Sequence, residues 1–540
     1  MPMSGQDTQF WADQIAQEII SRKRFHYSNE PVTQPDEYVV KTSASLSGVL
    51  HIGRLSDTIR GESVAKALLD AGKSVRFIWV AEDMDPLRKV PKGVPKGYEQ
   101  YLGMPVTDVP DPEGSYDSYA ARHVAEYFEV IDQFVTLKLA KFSMREEYRK
   151  GTFRPYIQKI LEQFDRVKDI QNSYRTNPLP EGWSPWKPIC EKCGRIATAH
   201  ITGFDGKLIT YECRDYHFEN TIAKGCGHKG TADPLTADGK LMWKSEWASQ
   251  WAAFSVVTEG AGKEYQVPNS AFWVNGEIVE KVLHYPMPLP IFYEHIMIDN
   301  AKMSASAGNV VYPRDWLKVA GPEHLRLLYN KRLARSRSFS WKDLPRMYDE
   351  YDDCLRIYNE ERQAESEKEA GHVRRLFELS AMDVKEPANP VPFSHAALIA
   401  QVFPKEEDAI ASLRKTGHFD DSLKDAIFSR LHKARAWVEK YGGDDARYAV
   451  QDTVQQGINL SQQQKEVLHR VADLLLSMEF SDDVALHEAM YHLAKDAGVL
   501  PKDFFRAAYL VLLNKERGPR LASFILALGS ERVAKLFSAV

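Results

Sequence analysis

His51 and Gly53 stand at an expected strand-to-helix turn, and Lys302 lies far downstream in a loop of small residues. These types at these places suit phosphate chemistry. A strand is expected around Tyr38, Val39 and Val40. A helix is expected over residues 55–71, where Leu55, Ile59, Val64, Ala67 and Leu68 recur at helical spacing before Gly72 stops it. Residues 74–80 read as a buried strand, so the turn belongs to a βαβ unit. At such a turn, free amide N–H groups and the helix dipole attract an anion, and glycine lets a nucleotide come close. Alone, a His-x-Gly turn is more often structural. The stretch Ala301-Lys-Met-Ser-Ala-Ser-Ala-Gly-Asn-Val310 changes that balance, because its lysine can swing a cation onto a polyphosphate.

Two further groups carry chemistry. Cys190-x-x-Cys193, Cys213 and Cys226-Gly-His228 have the layout of a small zinc ribbon, against a reading as unrelated thiols. Five candidates compete for four positions, so His228 is an alternate for Cys213 or Cys226. A closed site of this kind is structural, and Cys354 is expected simply to be buried. Glu82, Asp83 and Asp85 follow the second strand, at the edge where open α/β sheets bind ligands. They are candidates for an ammonium or hydroxyl group, or else a solvated acidic turn.

The elements that must position these groups fill a chain of 540 residues, enough for several domains. With 44% hydrophobic and 27% charged residues, neither disorder nor a fibre is indicated. No apolar run is long enough for a membrane span, and the first residues read as an amphipathic helix rather than a signal peptide. A cytoplasmic protein with no membrane partner is expected. A net charge of -5 does not announce a nucleic-acid binder, yet Lys331, Arg332, Arg335 and Arg337 form a local cationic run. That run is as plausible solvated as on a phosphate backbone.

Residues 91–112 read as a long loop, and 116–139 and 146–166 as helices. A turn-rich insertion occupies 180–240. The sheet is expected to resume with 241–251 and 262–265, although Trp243, Trp247 and Trp251 recur as one helical face suited to core packing. Beyond Val310 the pattern is helical, over 325–334, 344–362, 423–441 and 462–478, with 365–375 a charged helix face or linker.

The pair HIG and KMSAS resembles the signatures of class I aminoacyl-tRNA synthetases. With EDMDPLRKVP, LGMPVTDVPDP, the tryptophan run and Lys515-Glu-Arg-Gly-Pro-Arg-Leu-Ala-Ser-Phe524, the chain is similar over nearly its whole length to class I lysyl-tRNA synthetases. The resemblance implies an α/β architecture: a Rossmann-type catalytic domain over 1–330 with a zinc-bearing insertion at 180–240. It further implies a stem-contact helical region over 331–400 and an all-α anticodon-binding cage over 401–540. It implies lysine, ATP with Mg2+ and tRNA(Lys) as substrates, a structural Zn2+, and a monomer. By carry-over, Ser47, His51, Gly53, Arg54, Lys302, Met303, Ser304 and Ser306 would surround ATP. The amino-acid pocket would draw on Ser43, Ser45, Asp57, Asp83, Trp247, Glu264, Tyr265 and Phe272.

Several positions depart from the family pattern. Arg54 replaces the usual His or Asn, Ala305 and Ala307 leave no second lysine, Tyr265 ends the Gly-Lys-Glu segment, and Phe272 carries no hydroxyl. Asp57, one turn into the signature helix, is favoured for the side-chain ammonium, with Trp247 as an apolar wall for the methylenes.

Overall fold

The computed structural model describes residues 10–45, 51–90, 94–303, 309–480 and 482–540. Ser47, Ser304 and Ser306 lie outside the described residues.

Five parallel strands form the main sheet: β1 (Tyr38–Ser45), β2 (Val75–Glu82), β3 (Leu139–Ser143), β4 (Val256–Gly262) and β5 (Leu289–Tyr293). Their order is β5-β4-β1-β2-β3. Counted from the other edge this is 3-2-1-4-5, the Rossmann arrangement, in which the chain reverses its direction of winding between β1 and β4. The crossovers include α1 (Ile52–Asp70), α2 (Tyr119–Ile131) and α3 (Ala271–Lys281), with α1 buried along most of its length.

Sequence periodicity misplaces four boundaries. The helix expected over 116–139 ends at Ile131, and Leu139–Ser143 instead completes the sheet beside β2. The one expected over 146–166 is broken by Gly151, whose φ of 83° is left-handed, giving Met144–Lys150 and Arg154–Glu162. Residues 241–251 do not resume the sheet: Trp243–Ala253 is a helix, α4, and the sheet resumes with β4. Residues 263–265 form a single 3-10 turn beyond β4.

Between β3 and α4 lies a small ribbon of antiparallel strands, Ala199–Phe204, Ile209–Cys213 and Lys229–Ala232. It shares a continuous core with β1, β2, β4, α3 and α4. Chain contacts divide the molecule into two compact units. The first comprises residues 1–314, 325–339 and 365–382; the second comprises 315–324, 340–364 and 383–540. The second is helical, and its C-terminal part packs around Val467, Leu468, Phe504, Leu512, Phe524 and Phe537. No helix among the described residues is long and apolar enough to cross a membrane.

Candidate active site

His51 is the N-cap of α1, in extended backbone, and its own Nδ1 accepts the Gly53 amide at 3.1 Å. Burial, helped by the nearby Arg54 charge, lowers its pKa to about 4, so the ring is neutral at physiological pH. With Nδ1 accepting, the ring proton resides on Nε2, free to donate. The sequence argument assigned anion attraction to free helix amides, and this needs correction. The Ile52 amide is bound to Val311 O (2.9 Å), Gly53 to the imidazole and Arg54 to His51 O (2.8 Å). The positive character of this end of the pocket therefore resides in the helix dipole, the imidazole N–H and the cations of Arg54 and Lys302. A Cβ on Gly53 would lie 2.8 Å from the His51 ring and 2.9 Å from Met303, so a larger residue there would displace the imidazole or the methionine.

Lys302 is delivered by a hairpin. Ile296–Ile298 pairs with Ala301–Lys302 across Asp299 and Asn300, whose φ values of 47° and 63° suit a tight turn of primed type. The side of the hairpin carrying Lys302 is exposed, with the cation facing the pocket.

Ser43, His51, Gly53, Arg54, Asp57, Glu264, Lys302 and Met303 line one pocket, joined by Ser56, Tyr293, His295 and Ile296. It opens at the C-terminal ends of β1, β4 and β5, where the sheet order reverses. Asp57 is 7% exposed and accepts from the Ser43 amide (3.2 Å) and the Tyr293 hydroxyl (3.3 Å). Burial and the Glu259 carboxylate push its pKa to about 7. Its closeness to β4 depends on Gly260, where a Cβ would fall 1.8 Å from Asp57 Oδ1. At the rim, Glu264 pairs with His295 Nε2 at 2.9 Å, and that bond holds its carboxyl down at about 2.

The remaining predicted residues that the structure describes are not among those lining this pocket. Ser45 donates to Asp85 at 3.4 Å. Asp83 accepts from the Arg145 amide (2.9 Å) and the Ser143 hydroxyl, holding the start of Met144–Lys150 rather than facing the pocket. Trp247, 3% exposed, donates to Glu259 at 2.8 Å and packs on Tyr265 and Phe272 with ring centroids 5.1 and 5.5 Å away. Phe272 is fully buried in this aromatic cluster, which takes it out of the pocket lining.

Sequence reasoning missed the ion pair beneath. Lys41 in β1 is fully buried against Glu259 in β4, Nζ to Oε1 at 2.5 Å, and Trp251 adds a second indole donor to Glu259 at 2.6 Å. The signal was present: each is the lone charge of its strand and follows a pair of valines by one or two residues, a costly placement unless paired. Tyr293 and His295 gave no such signal.

The four cysteines converge. Their sulfurs all lie within 4.8 Å of one another, with Cys190–Cys226 at 3.7 Å and Cys193–Cys213 at 3.6 Å. A tetrahedron of zinc–thiolate bonds places sulfurs about 3.8 Å apart, so the donor set fits Zn2+. His228 instead turns its Nε2 to Glu191, 2.7 Å away.

A family model described as "tRNA synthetases class I (K)" matches residues 9–383. A lysine–tRNA ligase of Methanosphaera stadtmanae is 31% identical, the alignment covering 98% of each chain. One of Methanocaldococcus jannaschii is 32% identical over 98% of this chain and 99% of its own. Among solved structures, a glutamate tRNA ligase from Elizabethkingia meningosepticum aligns with 93% of this chain and 98% of its own, at 12% identity and a TM-score of 0.43, a likeness too loose to carry an argument. A chain matched over more than half its length by that model, and carrying His51 and Lys302 around one pocket at the switch point of its sheet, belongs to the class I (K) tRNA synthetases.

Proposed function

We propose that this protein is a lysine–tRNA ligase. It joins L-lysine to AMP at the expense of ATP, releasing pyrophosphate, and transfers the lysyl group to the 3′-terminal adenosine of tRNA(Lys). The end-to-end similarity to ligases of that name carries the reading. The pocket supports it chemically, because the reaction asks for positioning and for stabilisation of charge building on phosphate. His51 Nε2–H, Arg54 and Lys302 supply that stabilisation, Gly53 leaves room for the nucleotide, and Met303 closes the side of the cradle. Ser47, Ser304 and Ser306 would complete the phosphate loops. Mg2+ accompanies ATP and offsets phosphate charge when bound.

Asp57 is a carboxylate in the pocket for a substrate ammonium, and the ribbon cysteines hold a structural Zn2+. We assign catalysis to residues 1–330, tRNA-stem contact to 331–400 through the basic run at 331–337, and anticodon binding to 401–540. We place the enzyme in the cytoplasm as a monomer.

The test is ATP–pyrophosphate exchange with each of the twenty amino acids, with and without tRNA. Exchange driven by lysine is expected. Exchange driven by another amino acid, or none at all, overturns the reading.

A further inference from the structure

At the sheet edge one buried carboxylate keeps an oxygen that no hydrogen-bond donor among the described residues reaches. Lys41, Ser43 and Ser45 share a face of β1, at two-residue spacing. Lys41 is engaged by Glu259, and Ser43 Oγ also donates to Glu259 at 3.3 Å. Opposite Ser45, in register on β2, stands Glu82. It is 7% exposed, and its Oε2 accepts from Gln250 Nε2 of α4 at 3.1 Å. Among the described residues no donor reaches its Oε1. The nearest cation, Lys41, is 4.0 Å away, while Lys240 is held by Glu246 (2.9 Å) and Asp85 (3.4 Å). Gln250 Oε1, on a fully buried side chain, lacks a donor as well.

Two buried acceptors without donors are costly, and the long contact to Lys41, whose close partner is Glu259, offsets little of that cost. An ammonium group, with one charge and three N–H donors, satisfies both together.

Resting on the lysine reading above, we propose that Glu82 receives the side-chain ammonium of the substrate, with Gln250 Oε1 as second acceptor, and that Asp57 takes the α-ammonium. The spacing along β1 matches the substrate. Ser43 and Asp57 line the pocket beside His51 and Lys302, where the α-carboxylate must meet the nucleotide. Ser45 and Glu82 lie one same-face step further along the strand edge, about 6.6 Å, which is the reach of four methylenes. Tyr265 lies close enough to feel both Arg54 of the pocket and Glu82.

Wild type, Glu82→Gln, Glu82→Asp and Asp57→Asn, all full length, are compared in ATP–pyrophosphate exchange, with L-norleucine as a competitive probe lacking the side-chain ammonium. For Glu82→Gln, the lysine KM is expected to rise on the order of 100-fold with kcat nearly unchanged. Norleucine affinity should stay the same and Tm should not fall, because glutamine keeps the shape of a side chain whose charged form burial already disfavours. Glu82→Asp should recover part of the lysine affinity, and Asp57→Asn should weaken lysine and norleucine alike. A Glu82→Gln enzyme with unchanged lysine KM, or with equal losses for the two amino acids, overturns this assignment alone. A wild type silent toward lysine overturns the reading beneath it, and the assignment with it.

Discussion

At neutral pH the substrate end of the sheet holds two carboxylates that resist ionisation. Burial, with Glu259 nearby, raises Asp57 to about 7; burial, against the pull of Lys41 and with Glu246 and Asp85 adding to it, raises Glu82 to about 8. Both folded values lie above those of the unfolded chain, so the folded state binds more protons. Their contribution to stability is complete below about pH 4 and is lost as pH rises through 7 and 8. His51 acts in the opposite sense: lowered to about 4, it favours the folded state above its ordinary value near 6.5 and ceases to do so in acid. Tm is therefore expected to peak between about pH 5 and 7 and to fall toward pH 9. Differential scanning calorimetry across that range tests this, and saturating L-lysine at pH 8.5 should recover most of the fall. A flat profile from pH 6 to 9 would contradict the burial argument.

At the scale of elements, β4 owes its place to the absence of side chains. Gly260 lets Asp57 of α1 lie against the strand, and a Cβ there would fall 1.8 Å from Asp57 Oδ1, so the carboxylate would have to move. Gly260→Ala is expected to displace Asp57 or the strand, lowering stability by about 1–3 kcal/mol and raising the lysine KM more than that of ATP. Urea denaturation and exchange kinetics measure the two effects; an unchanged lysine KM would show that Asp57 does not hold the substrate.

Legibility in the sequence also divides by element. His51, Gly53 and Lys302 were readable because turn chemistry is local, and the cysteines because their spacing is. Trp247 and Phe272 were harder to place, since an aromatic residue of a core and one of a pocket wall have the same periodicity. Tyr293 and His295 reach the pocket only through the order of the strands, which no window of sequence contains. The strand Leu139–Ser143 was hidden for a similar reason: its pairing with β2 overrides local pattern.

At the scale of the molecule, the ribbon is inserted into the Rossmann unit, and its cysteines come from three separate segments. Cys213 at 1% exposure and Cys190 at 0% form part of the core itself. A structural metal contributes its binding energy to folding. One Zn2+ per chain is expected by elemental analysis. A strong chelator, or Cys213→Ser, should lower metal content together with amide-exchange protection in residues 186–241. Protection in 462–537 should persist, because that helical core is built without the cysteines. Simultaneous loss in both regions would show that the two units unfold as one.

The ribbon also sets a schedule for synthesis. Lys41 and Glu259 meet across 218 residues of sequence, so β1 emerges from a ribosome long before its inner neighbour exists. At about 5–20 residues per second, that interval is roughly 10–40 s. Throughout it, β1 is the raw edge of a half-built sheet, the kind of strand that recruits other chains. Lys41, the one charged residue of β1, discourages such pairing until β4 arrives to neutralise it. The charge that closes the finished site thus also guards the nascent chain against aggregation.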